Sequence, residues 1–226
     1  HYPNQDHLFA HISFSVEKQS KLSIVGNNGV GKSTLLKLLA GELSPSQGSI
    51  IASSHPYYVP QHTGLLGKTV AEVLQISDKL KAMEAIIQGS ISQADYDTLA
   101  DDWTIEARYE SALAYWQLSH IQPDTPIDDL SGGERTKVFL AGLLIHTPEF
   151  ILLDEPSNHL DAASREILYD FIKQSTASIV VVSHDRVLLD QLDTTYELSE
   201  LGIKLYGGNY SFYIEQKDIE ENALDD

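Results

Sequence analysis

The sequence has no cysteine, a single methionine and a deficit of positive charge. Without cysteine there are no disulfides and no thiolate metal ligands, which suits a reducing compartment. No apolar run reaches the roughly eighteen residues that a membrane-spanning helix needs. The first residues lack the basic-then-apolar pattern of a secretory signal. Only 15 Lys and Arg stand against 33 Asp and Glu, a formal net charge of −18. So acidic a segment repels phosphate backbones at long range, which disfavours broad electrostatic binding of RNA or DNA. A local basic patch, or a basic segment outside the chain, escapes that argument. The chain starts at His1-Tyr2 and its one methionine is Met83. This reads as a fragment or trimmed piece whose true start lies upstream.

The 226 residues suffice for one good-sized core, or a core plus a small lobe. Ile12 to Val16 alternates apolar and polar residues, as a half-buried strand does. Leu22 to Val25 is a short apolar strand that runs into a Gly-rich loop, and Lys32 to Ala40 reads as a helix closed by Gly41. Tyr57 to Pro60 is extended and leads to Gln61. Thr69 to Ala85 and Asp95 to Trp116 carry apolar residues at helical spacing, predicting a helical lobe with Trp103 and Trp116 in its core. Pro123 and Pro126 break it, and Glu134 to Ile145 is a further helix. Strands at Phe150 to Leu153 and Ile179 to Val182 flank a helix at Ser164 to Lys173. Arg186 to Leu192 is a short helix, and Tyr196 to Leu198 pairs with Ile203 to Tyr206 across a turn. From Tyr210 the chain is charged and helical. Apolar strands alternating with helices predict an α/β core with a mostly parallel sheet, the helical lobe being inserted into it.

Gly26-Asn27-Asn28-Gly29-Val30-Gly31-Lys32-Ser33 fits the G-x-x-x-x-G-K-[ST] pattern, between a strand and a helix as that pattern requires. Glycines let backbone N–H groups curl around phosphate oxygens, and the helix start favours an anion. Lys32 is expected to reach the β- and γ-phosphates and Ser33 to ligate Mg²⁺. Phe150 to Glu155 is an apolar strand that ends in two carboxylates. Asp154 suits Mg²⁺ through water, and Glu155 is placed to act as general base on the attacking water. Leu130-Ser131-Gly132-Gly133-Glu134 opens a helix with Ser131 as N-cap. Spacing leaves two readings of it: a simple capped helix start, or a second phosphate-binding helix end. His55, His62, His120 and His146 show no ligand spacing.

The order of these motifs, with Gln61, Ser157 to Asp161 and His184, resembles the ATPase domain of ABC proteins over nearly the whole chain. Four stretches are similar to its ABC-F subfamily. They are Glu155-Pro156-Ser157-Asn158-His159-Leu160-Asp161, Ser131 to Val138, Val182 to Arg186 and Tyr206 to Tyr213. Ser157 stands where that subfamily usually has Thr. The resemblance implies a phosphate-loop NTPase fold of ABC type, with an antiparallel β subdomain and a helical lobe at about 65–147. The nucleotide-binding domain would span 1–211, and 212–226 would begin a charged interdomain linker.

It also implies roles. Gly26, Asn27, Asn28, Gly29, Val30, Gly31, Lys32, Ser33 and Thr34 would hold the phosphates. Gln61 would contact Mg²⁺ and sense the γ-phosphate, and His184 would hold the γ-phosphate and the attacking water. Ser131, Gly132 and Gly133 would contact ATP bound to a second ABC domain, with Asp161 coupling the two sites. Tyr2 would stack on adenine, as a π face suits. The implied protein is a soluble, cytoplasmic ATPase using ATP and Mg²⁺. Its second ABC domain lies on the same chain at full length, or in a second copy of the fragment. The ribosome is the implied target, in translation or antibiotic resistance, reached mainly through segments outside this chain. Two other readings are an ABC transporter ATPase subunit and a regulatory ATP-binding module without turnover.

Overall fold

The computed structural model describes residues 12–61 and 67–224. In chain order the elements begin β1 (Lys21–Val25), α1 (Lys32–Leu39), β2 (Tyr57–Val59), α2 (Val70–Val73), α3 (Ser77–Ile87), α4 (Gln93–Leu99) and α5 (Ile105–Tyr115). They continue α6 (Gly132–His146), β3 (Phe150–Asp154), α7 (Ala162–Gln174), β4 (Ser178–Val182), α8 (Arg186–Leu189), β5 (Thr194–Ser199), β6 (Gly202–Tyr206) and α9 (Tyr210–Leu224). The described residues fall into two compact units: 12–61, 148–157 and 165–224 form one, and 67–147 and 158–164 the other.

The first unit is built on a six-stranded sheet in the order β2-β3-β4-β1-β5-β6. Every pairing is parallel except β5 with β6, which are joined by a tight turn. The parallel strands read as continuous apolar runs because helices and loops cover both faces. In β4, Ile179, Val180, Val181 and Val182 are all buried. Leu35 and Leu36 of α1 pack with Leu22, Ile24, Leu152, Val180, Val182 and Leu198 in one cluster. The register sets Ser23 beside Val181, Leu153 beside Val181 and Asp154 beside Val182. The carboxyl ends of β1, β3 and β4 are therefore level, which is where open parallel sheets bind ligands.

Ile12, Phe14 and Val16 pack against this cluster while Ser13 and Ser15 are exposed. The expected alternation is present, but the described residues show no strand there. Burial of alternate side chains follows from an extended backbone; a strand also needs a hydrogen-bonded neighbour.

The second unit is helical, with α3 against α4 and α5 against α6. The expected helical lobe is present, and the stretches Thr69 to Ala85 and Asp95 to Trp116 each carry two helices. Thr69 and Glu72 form a reciprocal capping box for α2. The chain then turns through left-handed Gln75 (φ 58°) before α3. Ala100 (φ 51°) and Asp101 (φ 59°) likewise separate α4 from α5. One placement in the lobe core is thereby corrected. Trp116 is fully buried, but Trp103 is 48% exposed. Trp103 falls in the turn between α4 and α5, where helical spacing no longer selects a face.

Candidate functional site

In the first unit β1 feeds directly into the Gly-rich loop. Gly26, Gly29 and Gly31 have φ of 147°, 82° and 105°. These are conformations that side chains with a Cβ rarely adopt. A Cβ on Gly26 would also lie 2.2 Å from the carbonyl oxygen of Leu198 on β5. Asn27, Asn28 and Gly29 are exposed, whereas Val30, Gly31, Ser33 and Thr34 are half-buried. Gly31 is the N-cap of α1 and makes no side-chain cap. The first N–H groups of that helix thus have no capping side chain in the way of an anion.

Lys32 is buried, and its Nζ donates to the carbonyls of Gly26 (2.7 Å) and Asn27 (3.0 Å). Burial lowers its pKa from the usual lysine value, against the pull of Glu155 and Asp154. The ammonium is a desolvated cation held across the mouth of its own loop. An anion there would relieve part of that desolvation.

Asp154, at the end of β3, is 2% exposed. Ser33 Oγ donates to its Oδ1 at 3.1 Å and the Tyr58 hydroxyl to its Oδ2 at 3.2 Å. Glu155 follows in a left-handed conformation (φ 51°), its N–H donating to Val182 O at 2.7 Å. That turn folds its carboxylate back toward β4. Oε2 accepts the backbone N–H of His184 at 3.2 Å, and Oε1 lies 3.5 Å from His184 Nε2. The His184 side chain is 65% exposed. Burial raises the Glu155 pKa and Asp154 adds to the rise, opposed by His184 and Lys32. A raised carboxyl pKa makes a better proton acceptor. Gln61 lies beyond β2 and is exposed.

The residues present fit Mg²⁺. Ser33 and Asp154 offer hard oxygen donors already within 3.1 Å of each other. Among the described residues no cluster of three or more His, Asp or Glu could hold a metal alone. A metal here would complete its shell with water and phosphate, as Mg²⁺ commonly does.

In the second unit Ser131 caps α6, and Glu134 closes the capping box by accepting the Ser131 N–H at 2.9 Å. That pairing is legible as S-x-x-E. A Cβ on Gly133 would lie 2.7 Å from the His159 carbonyl, so the loop carrying His159 sits directly on the helix start. Asp161 Oδ1 accepts the Ser164 N–H at 2.8 Å, and its Oδ2 lies 3.6 Å from the buried Lys137 Nζ. Ser131, Gly132, Gly133, Glu134, Lys137, His159 and Asp161 line one open pocket. Tyr58 and Lys137 carry no signal that a spacing argument could have used. Tyr2 lies outside the described residues.

The family described as ABC transporter matches residues 9–158, about two thirds of the chain. The chain belongs to the ABC family. Among its relatives is the tylosin resistance ATP-binding protein TlrC of Streptomyces fradiae, 33% identical over 94% of this chain and 43% of its own length. The energy-dependent translational throttle protein EttA of Escherichia coli (strain K12) is 33% identical over 96% of this chain and 43% of its own. ABC transporter F family member 5 of Arabidopsis thaliana is 29% identical over 91% of this chain and 34% of its own. The ABC domain described here thus spans less than half the length of these relatives. Among solved structures, an ATP binding subunit of an ABC transporter superposes with a TM-score of 0.72 at 20% identity, over 99% of this chain and 95% of that one. The dimeric structure of a bacterial ABC transporter cassette gives 0.65 at 20% identity, over 87% and 88%. Both share the ABC fold. No helix among the described residues is long and apolar enough to cross a membrane.

Proposed function

We propose that the chain is the Mg²⁺-dependent ATP-hydrolysing domain of an ABC-F protein that acts on the ribosome. The observation that carries hydrolysis is Glu155: buried, raised in pKa, beside Asp154 and hydrogen-bonded by His184. The loop from Gly26 to Thr34 cradles the phosphates and Lys32 turns from its own carbonyls to theirs. Ser33, Asp154 and Gln61 hold the metal, which when bound neutralises phosphate charge. Glu155 accepts the proton of the attacking water, and His184 holds the γ-phosphate side of that water in line.

Ser131, Gly132 and Gly133 complete a site on ATP held by a second ABC domain, with Asp161 coupling the two. That domain lies on the same chain at full length or in a second copy of this one. Residues 1–211 form the ABC domain with its lobe at about 65–147, and 212–226 begin the linker. Support for the ribosome comes from relatives named for translational throttling, for tylosin resistance and as F family members. These similarities run across more than nine tenths of the chain. The protein works in the cytoplasm on this reading. A transporter subunit is the alternative; the transporter cassettes the chain superposes on are 20% identical and speak for fold alone.

Glu155→Gln tests both halves. It keeps the shape of the side chain and removes the base. Turnover should fall about 100-fold or more while ATP binding persists. The full-length variant should pellet with ribosomes in the presence of ATP and not without it. Turnover at the unsubstituted rate would sink the base assignment, and absence of ATP-dependent pelleting would sink the ribosome reading.

A further inference from the structure

Tyr58 belongs to none of the motifs above, yet it touches the most buried acid of the site. Its hydroxyl donates to Asp154 Oδ2 at 3.2 Å while Ser33 Oγ donates to Oδ1 at 3.1 Å. Two hydroxyls thus take the two oxygens of one carboxylate. The register explains why the reach requires tyrosine. β2 pairs in parallel with β3, and Tyr58 lies opposite Leu152. Asp154 is two residues further along β3, on the same face as Leu152 and about 6.6 Å beyond it. A serine or threonine at position 58 would stop far short, whereas a phenol spans the gap.

We infer that Tyr58 is a positioning residue of the metal site: it holds Asp154 by Oδ2 and so keeps Oδ1 turned toward Ser33. This rests on the Mg²⁺–ATP reading above. Ser33 Oγ can give a lone pair to the metal and still donate its proton to Oδ1, so the carboxylate is held at both oxygens. Tyr58 supplies the hydrogen bond on Oδ2 and thereby limits the rotation of the carboxylate. A freely rotating carboxylate loses part of its pull on the metal through the waters between them. Tyr58 also packs against the core cluster through its ring, and that contact is common to phenylalanine.

Tyr58→Phe separates the two roles. A fluorescent ATP analogue is titrated into the protein and the variant, first with EDTA and then over a Mg²⁺ series. Thermal melting of each is recorded alongside. The variant should melt close to the parent and bind the metal-free nucleotide within about twofold of it. The Mg²⁺ concentration for the half-maximal gain in affinity should rise about three- to tenfold, in the range of the net worth of one ordinary hydrogen bond. Tyr58→Leu should shift the Mg²⁺ midpoint in the same direction even though it also loses packing. An unchanged Mg²⁺ midpoint would overturn the inference, as would a metal-free affinity that falls by the same factor. If the parent protein shows no Mg²⁺-dependent gain at all, the Mg²⁺–ATP reading fails first and this inference with it.

Discussion

Gly26 is fixed by the phosphate-loop pattern and Gly29 falls at one of its open positions, and the structure separates them further. Gly29 has φ 82° and open space around the place of a Cβ. Gly26 has φ 147°, and a Cβ there would meet the Leu198 backbone oxygen at 2.2 Å. Backbone on a paired strand cannot swing aside as a long side chain can. Gly29→Ala should therefore cost only the left-handed penalty, roughly 1–2 kcal/mol. Gly26→Ala must push β5 away from β1 and should cost more than about 3 kcal/mol. Urea denaturation of both variants checks the ranking; equal losses would mean that the loop yields and the β5 contact does not matter. The pattern made Gly26 visible because it calls for a glycine at that turn. It did not show the approach of β5, because that contact joins residues far apart in the chain.

At the scale of elements, the breaks within the two helical stretches have one cause. Gln75, Ala100 and Asp101 adopt left-handed conformations without being glycine, so nothing in their residue types marks the breaks. Beside the second break sits Asp102, whose Oδ2 accepts from Lys79 of α3 and Arg108 of α5, both at 2.8 Å. Its burial raises the carboxyl pKa, but the bonds and charges of Lys79 and Arg108 outweigh this and bring it below the usual 3.8. A lowered carboxyl pKa contributes stability that is present above the unfolded value and lost as pH falls through the folded one. Asp102→Asn should thus destabilise the helical unit at pH 7, by about 1 kcal/mol because both cations are partly exposed. The difference from the parent should vanish below the folded pKa of Asp102. A difference that persists undiminished in strong acid would mean that shape, not charge, holds the turn.

α9 is anchored in the same style. Glu197 of β5 accepts from Tyr213 at 3.0 Å, from Tyr206 at 3.3 Å and from Lys217 at 3.1 Å. Ser211 donates its N–H and hydroxyl to Asp190 at 2.7 and 2.9 Å. The Tyr206 to Tyr213 stretch, known in the sequence only by resemblance, is here the socket of a helix. Glu197→Ala leaves the buried Tyr213 phenol and the Lys217 ammonium without this acceptor, while the Tyr206 hydroxyl keeps Glu220 at 3.1 Å. Amide exchange over residues 210–217 should speed up about tenfold while the amides of β4 keep their protection. Uniform acceleration would point instead to a general loss of stability.

At the scale of the molecule, the order of motifs was enough to reach the ABC family by resemblance, while the phosphate loop with Asp154 and Glu155 is what phosphate transfer itself requires. The net charge of −18 carries a different kind of information: it says nothing of fold and much of association. If a second ABC domain completes the site, two copies of this chain meet as like-charged bodies, each bringing further charge as ATP. Long-range repulsion between them is screened over about 10 Å at 0.1 M salt and about 3 Å at 1 M. Direct contacts of Ser131 and Gly133 with phosphate are short and less screened. The ATP-dependent self-association of the Glu155→Gln protein should therefore strengthen as salt rises from about 50 to about 300 mM, where electrostatically steered interfaces weaken. Sedimentation velocity in the two buffers, with and without ATP, reads this directly. An association that weakens with salt would mean that opposite charges placed locally across the interface outweigh the repulsion of the whole, and the acidic surface would then have to be explained by some other encounter.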